Sequence, residues 1–220
     1  MRSTRVELPK INRQALTVFS GYVDWYLRRN FHCVRVAGSS YARVASGRPF
    51  LVYVNHPSWW DPLVGLEVAM YLFPDWAHYA PIDAEALRRY GFFRKLGFFG
   101  VEPGTASGAA TYLRMGEAVL SQQKQAFWVT AQGHFADPRT RPMQLRPGTG
   151  HLLHRVRNVN VLPMAIEYPF WEERFPEALV RFGEPIAVDD GASRPPDEWT
   201  ALLAARLEAT QDRLAQDAMA

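Results

Sequence analysis

Pro49-Phe50-Leu51-Val52-Tyr53-Val54-Asn55-His56-Pro57-Ser58-Trp59-Trp60-Asp61-Pro62 decides how the chain is read. Phe50 to Val54 is apolar throughout, which suits a strand covered on both faces, as in a parallel sheet. Asp61-Pro62 signals a helix start, because aspartate caps an N-terminus and proline fits the first helical position. A histidine just past the C-terminal end of a buried strand stands where open α/β sheets place their ligands.

The same alternation extends in both directions. Upstream, Ile11 to Arg29 carries Ala15, Leu16, Phe19, Tyr22, Val23, Tyr26 and Leu27 at helical spacings. His32 to Ala37 then reads as a strand, followed by a loop at Gly38, Ser39 and Ser40. Downstream, the pattern predicts helices from Asp61 to about Phe73, Ala84 to Lys95, Ser107 to Gln122, Gly148 to Arg157 and Asp197 to about Met219. Strands are predicted at Phe98 to Val101, Ala126 to Thr130, Val159 to Tyr168 and Ala178 to Phe182. The predicted fold class is α/β, a mostly parallel sheet flanked by helices and opened by an amphipathic helix. No repeat and no Gly/Ser-rich linker divides the chain, so residues 1–220 are read as a single domain, with an N-terminal helix in 1–31, a core in 32–190 and a C-terminal helix in 191–220.

Composition narrows the class. The 220 residues are 48% hydrophobic and 21% charged, ordinary for one globular domain and short for two. Cys33 is the only cysteine, which excludes a disulfide framework and a cysteine-built zinc site and suits a reducing compartment. No uncharged run reaches the roughly 18 residues a spanning helix needs, and no export signal opens the chain. The expectation is an intracellular protein, soluble or peripheral. The net charge of +3 conceals a gradient: residues 1–50 hold nine basic and two acidic groups, whereas residues 167–220 hold five basic and twelve acidic. A basic, aromatic-rich end suits either an anionic membrane surface or nucleic acid, and equally a solvated surface. Seven tryptophans favour an apolar–polar boundary.

Several common sites are missing: the sequence has no G-x-S-x-G elbow, no phosphate-binding P-loop and no G-x-G-x-x-G fingerprint. His151 and His154, three apart on a predicted helix, read as a metal pair or as a solvated face, while His32 and His78 stand alone. That leaves His56 and Asp61. Pro57 and Ser58 encourage a tight turn that brings the carboxylate back to the imidazole. A carboxylate on one ring nitrogen fixes the tautomer and leaves the other nitrogen free as a base. Such a pair lacks a nucleophile of its own and suits reactions in which the substrate's hydroxyl or amine attacks an acyl group. On spacing alone a second reading stays open, in which Asp61 only caps the helix and His56 only packs.

Asn55-His56 through Asp61 resembles the H-x-x-x-x-D motif of the glycerolipid (lysophospholipid) acyltransferase family, which includes 1-acylglycerol-3-phosphate acyltransferases. Leu96 to Pro103 is similar to that family's second block, and Trp128 to Phe135 lies where the family has F-P-E-G-T-R. Val159 to Glu167, around Pro163, resembles the fourth block, and Arg146-Pro147-Gly148 stands where the family has a basic residue and glycine. The four blocks fall in the family's order across residues 32–190.

The resemblance implies His56 as general base and Asp61 as its orienting partner, with Asn55, Ser58, Glu102, Gln132, Gly133, His134 and Arg146 binding substrate. It implies acyl-CoA or acyl carrier protein as the donor co-substrate, no metal or other cofactor, and a lipid acceptor. A turn amide or helix N-terminus near the motif is expected to face the oxyanion. The N-terminal helix resembles the family's membrane-docking helices, placing the protein in the cytoplasm, peripheral on the inner face of the cell membrane, with an anionic membrane surface as partner and no nucleic acid. The blocks associated with phosphate binding diverge: Glu102 or Pro103 stands at the second-block arginine, Gln132 at the third-block acid and Phe135 at its arginine. Arginine binds phosphate through a planar fork of donors that none of these residues offers. The expected acceptor is therefore uncharged or cationic, such as a glycolipid, a lyso-aminolipid or a glycosylated carotenoid. A 1-acylglycerol-3-phosphate acyltransferase and a catalytically inactive lipid-binding relative are the alternatives.

Overall fold

The computed structural model describes residues 6–38 and 47–219, so the loop positions Ser39 and Ser40 lie outside the described residues. In chain order the elements are α1 (Arg13–Asn30), β1 (Val34–Ala37), β2 (Phe50–Val54), α2 (Asp61–Leu72), β3 (Ala77–Asp83), α3 (Ala84–Arg89), β4 (Phe98–Val101) and α4 (Ala106–Leu120). They continue through β5 (Gln125–Thr130), α5 (Gly148–Leu153), β6 (Arg157–Glu167), β7 (Ala178–Phe182), β8 (Ile186–Asp190) and α6 (Pro196–Ala218). Side chains fix the helix starts: Asn12 accepts the Ala15 N–H at 3.0 Å and Thr105 accepts the Gly108 N–H at 2.9 Å.

The strands form a sheet in the order β1-β7-β6-β2-β5-β3-β4, with β8 also on β6. β2 lies at the centre, parallel to β5 on one side and to β6 on the other. β6 is long enough to pair antiparallel with β8 along its first half and with β7 along its last four residues. The remaining pairs, β1 with β7 and β3 with β4 and β5, are parallel. The fold is thus α/β with a mostly parallel sheet between helices, as the alternation of elements predicts.

The period-two geometry of β2 divides the core. Leu51 and Tyr53 pack with Phe127, Val119, Leu152, Leu203 and Leu207, under α4, α5 and α6. Phe50, Val52 and Val54 face the other way, onto Val23 and Leu27 of α1 and Val64 and Val68 of α2. No described helix is long and apolar enough to cross a membrane.

Two strands depart from the sequence reading. β3 (Ala-His-Tyr-Ala-Pro-Ile-Asp) carries Pro81 and little β-branched content, signals that argue against a strand. It forms because β5 and β4 pair with it from either side. β8 ends in Asp189 and Asp190 and reads as a loop, yet β6 offers it a free edge. The helix expected over Ala84 to Lys95 is α3 followed by a separate 3₁₀ turn at Gly91–Leu96. That turn closes on Gly97, whose φ is +100° and whose added Cβ would lie 2.2 Å from the His78 carbonyl oxygen. Only glycine fits both constraints. The helix expected to Arg157 stops at Leu153, because Arg157 already belongs to β6.

Candidate active site

The turn after β2 is built around Asp61. Its carboxylate, 3% exposed, accepts three hydrogen bonds. His56 Nδ1 lies 2.6 Å from Oδ2, the Ser58 N–H donates to the same oxygen at 3.1 Å, and the Tyr168 hydroxyl donates to Oδ1 at 2.6 Å. A carboxylate on Nδ1 makes that nitrogen the protonated one and leaves Nε2 as the base. Asp61 therefore does not act as the side-chain cap of α2: Trp60 holds the cap position with no side-chain cap hydrogen bond.

Neighbouring strands hold His56 by its backbone. Gln132, buried after β5, accepts the His56 N–H through Oε1 at 2.9 Å, and the Ala136 N–H donates to the His56 carbonyl at 2.9 Å. On the other side Asn55 donates to the Ile166 carbonyl at 3.0 Å and accepts the Ile166 N–H at 2.8 Å. The side chain of Asn55 thereby continues the β2–β6 ladder beyond the last register pair, Val54 with Met164. The Phe135 ring centroid lies 4.3 Å from that of the His56 imidazole.

The other expected residues divide by distance from this turn. Ser58 contributes its backbone N–H to Asp61, while its Oγ accepts the Trp60 N–H at 3.3 Å. Gly133, at φ +67°, lies beneath the Arg146 side chain, which a Cβ there would meet at 2.5 Å. His134 is exposed and donates from Nδ1 to the Gln132 carbonyl at 3.0 Å. Glu102 is exposed at the end of β4, three strands from β2 in the order β2-β5-β3-β4, about 14 Å along the sheet. Of the arginines after β5, Arg139 pairs with Asp137 at 2.7 Å and Arg141 with Asp212 at 2.6 Å. Arg139 draws the Asp137 carboxyl down to about 2 through hydrogen bonds. Arg146 has no carboxylate partner among the described residues.

Two contacts escaped the sequence reading. Tyr168, the last residue of the predicted strand Val159 to Tyr168 but one residue past β6, carries no motif. Burial, and then the Asp61 carboxylate, push its phenol pKa strongly upward, so it remains a donor. Phe135 read only as a lost arginine, and the fold sets it on the imidazole. His154 donates from Nδ1 to the Arg194 carbonyl at 2.9 Å, and His78 is buried between the Phe73 carbonyl and the Trp128 indole, each at 3.0 Å.

No family model matches the sequence, and no curated protein matches it either. Among solved structures the chain is similar to the crystal structure of the 1-acyl-sn-glycerophosphate (LPA) acyltransferase PlsC from Thermotoga maritima. The match covers 91% of this chain and 78% of that one, with a TM-score of 0.62 at 16% sequence identity. The chain has the fold of that acyltransferase.

Proposed function

We propose that this chain transfers a fatty acyl group from a thioester carrier, acyl-CoA or acyl carrier protein, to a hydroxyl or amine of a lipid-like acceptor. The observation that carries the reading is the 2.6 Å contact of His56 Nδ1 with buried Asp61 at the C-terminal end of the central strand. The fold shared with a lysophosphatidic acid acyltransferase supports it. Nε2 of His56 takes the acceptor's proton as its oxygen or nitrogen attacks the thioester carbonyl. The tetrahedral intermediate then expels the thiolate, which receives that proton from the imidazolium, while Asp61 stabilises the transient cation.

Both donors are anionic. A cleft of about 740 Å³ along β4, with Lys10, Arg88, Arg94 and Lys95 around Leu87 and Phe98, suits a carrier's acidic head. Val18, Tyr22 and Trp25 expose an apolar stripe on α1, with Arg28 and Arg29 at its end. This stripe fits reversible docking to an anionic cytoplasmic membrane face.

The acceptor group near His56 is uncharged or cationic rather than a phosphate monoester. Phe135 occupies the imidazole's flank, and Arg139 and Arg141 are committed to carboxylates. Arg146 supports the alternative of lysophosphatidic acid as acceptor. The test supplies labelled acyl-CoA or acyl carrier protein with lysophosphatidic acid beside neutral glycolipid and lyso-aminolipid acceptors. Transfer to the neutral or amino acceptors is expected. Efficient acylation of lysophosphatidic acid, lost in Arg146→Ala, would establish the alternative.

A further inference from the structure

Asp61 is held more tightly than a simple histidine–aspartate pair requires. Besides the imidazole, its carboxylate receives the Ser58 N–H and the Tyr168 hydroxyl, and the latter contact, at 2.6 Å, equals the histidine contact in length. Tyr168 is itself fixed. Its ring packs on Phe31 with centroids 5.6 Å apart, and Phe31 packs on Trp60, the residue before Asp61, at 4.9 Å. Tyrosine, α1 and the turn therefore form one packed unit.

A hydroxyl that donates to the carboxylate points the positive end of its dipole at the pair. It disperses carboxylate charge that would otherwise attract a proton onto His56. Other ionisable groups on the surrounding elements have partners elsewhere. Glu67 of α2 is attracted by Arg28 of α1 and repelled by Asp24, and Glu167 of β6 is attracted by Arg139 and Arg141 of the loop after β5. His134 turns to the Gln132 carbonyl, Arg146 lies over Gly133, and the Tyr26 ring of α1 packs tilted against Trp60. Among the described residues, Tyr168 is the ionisable side chain besides His56 that bonds to Asp61.

We infer that Tyr168 is a positioning residue of the His56–Asp61 pair, pinning Asp61 Oδ1 and setting how strongly the carboxylate draws a proton to the imidazole. The inference rests on the acyl-transfer reading for its purpose, and on the geometry alone for its effect on the imidazole. Losing the hydroxyl concentrates negative charge on Oδ2 and raises the proton affinity of His56. Strengthening the hydroxyl as a donor lowers it.

The test is an NMR titration of His56 in the full chain, its signal assigned by its loss in His56→Ala. Tyr168→Phe, which keeps the ring, should move the His56 titration upward by roughly 0.5–1 pH unit. A fluorotyrosine placed at 168, a stronger donor of nearly the same shape, should move it downward, and keeps the question answerable if the phenylalanine variant folds poorly. In Asp61→Asn the effect of Tyr168→Phe should vanish, because the carboxylate that transmits it is gone. An unchanged His56 titration in both tyrosine variants would overturn the inference. A folded His56→Ala protein that still transfers acyl groups would remove the proposed reaction without touching the titration result, so the two failures are distinguishable.

Discussion

His78 makes the fold's stability depend on pH in a way that can be worked out from its surroundings. Its ring is buried; Nε2–H donates to the Phe73 carbonyl and Nδ1 accepts the Trp128 indole N–H, both at 3.0 Å. Protonation would place a second N–H against the indole donor and a cation in the core. Burial accordingly lowers its pKa from 6.5 to about 4, although the Phe73 carbonyl works in the opposite direction. In the unfolded chain the same imidazole takes a proton at its ordinary value. The folded-state pKa is depressed, so the contribution is complete above the unfolded value and is lost as pH falls toward the folded one. At about 1.4 kcal/mol per unit, moving from about pH 7.5 to about pH 5 removes roughly 2 kcal/mol of stability through this residue. Glu67 and Glu167, whose pKa values burial raises, act in the opposite sense over the lower part of that range. Urea denaturation of the wild type and of His78→Gln at both pH values cancels those other groups. The wild type should lose about 2 kcal/mol more than the variant over that interval. Parallel pH dependences would refute the argument.

Three further outcomes are expected. Gly133→Ala places a Cβ against Arg146 at a positive φ and should cost about 1–2 kcal/mol in denaturant melts; adding Arg146→Ala should recover only the steric part, and a neutral Gly133→Ala would contradict the left-handed turn. Arg28→Glu with Arg29→Glu should weaken sedimentation with anionic vesicles, by about fivefold per charge at low salt, and equal wild-type recovery in the supernatant with and without anionic lipid would rule out docking by α1. Arg94→Glu with Lys95→Glu should raise KM for the acyl donor about tenfold while leaving kcat nearly unchanged; an unaltered KM would free the β4 cleft of that role.

What the sequence disclosed follows the strength of each local signal. Phe50–Val54, Phe98–Val101 and Ala178–Phe182 read correctly to the residue, because short, predominantly apolar runs next to proline or glycine have few other homes. β3 and β8 stayed hidden because pairing, not composition, makes them strands: His78, Pro81, Asp189 and Asp190 oppose the assignment locally. The turn from His56 to Asp61 was legible because the whole contact lies within six residues. Tyr168 and Gln132 were not legible as its supports. They meet the turn only through the order β6-β2-β5, which brings residues 76 to 107 positions distant onto one turn.

The central claim is that His56, oriented by Asp61, is the base of an acyl transfer. The most direct measurement is the initial rate of acyl transfer from acyl-CoA or acyl carrier protein by His56→Ala, beside a thermal melt of the same preparation. His56 is a part-buried side chain on a turn whose backbone already donates to Gln132 Oε1 and accepts the Ala136 N–H. The variant should therefore still fold, its melt lowered by the contact Asp61 loses, while the rate falls by at least ~10²-fold. A folded His56→Ala protein that transfers acyl groups at the wild-type rate would contradict the claim.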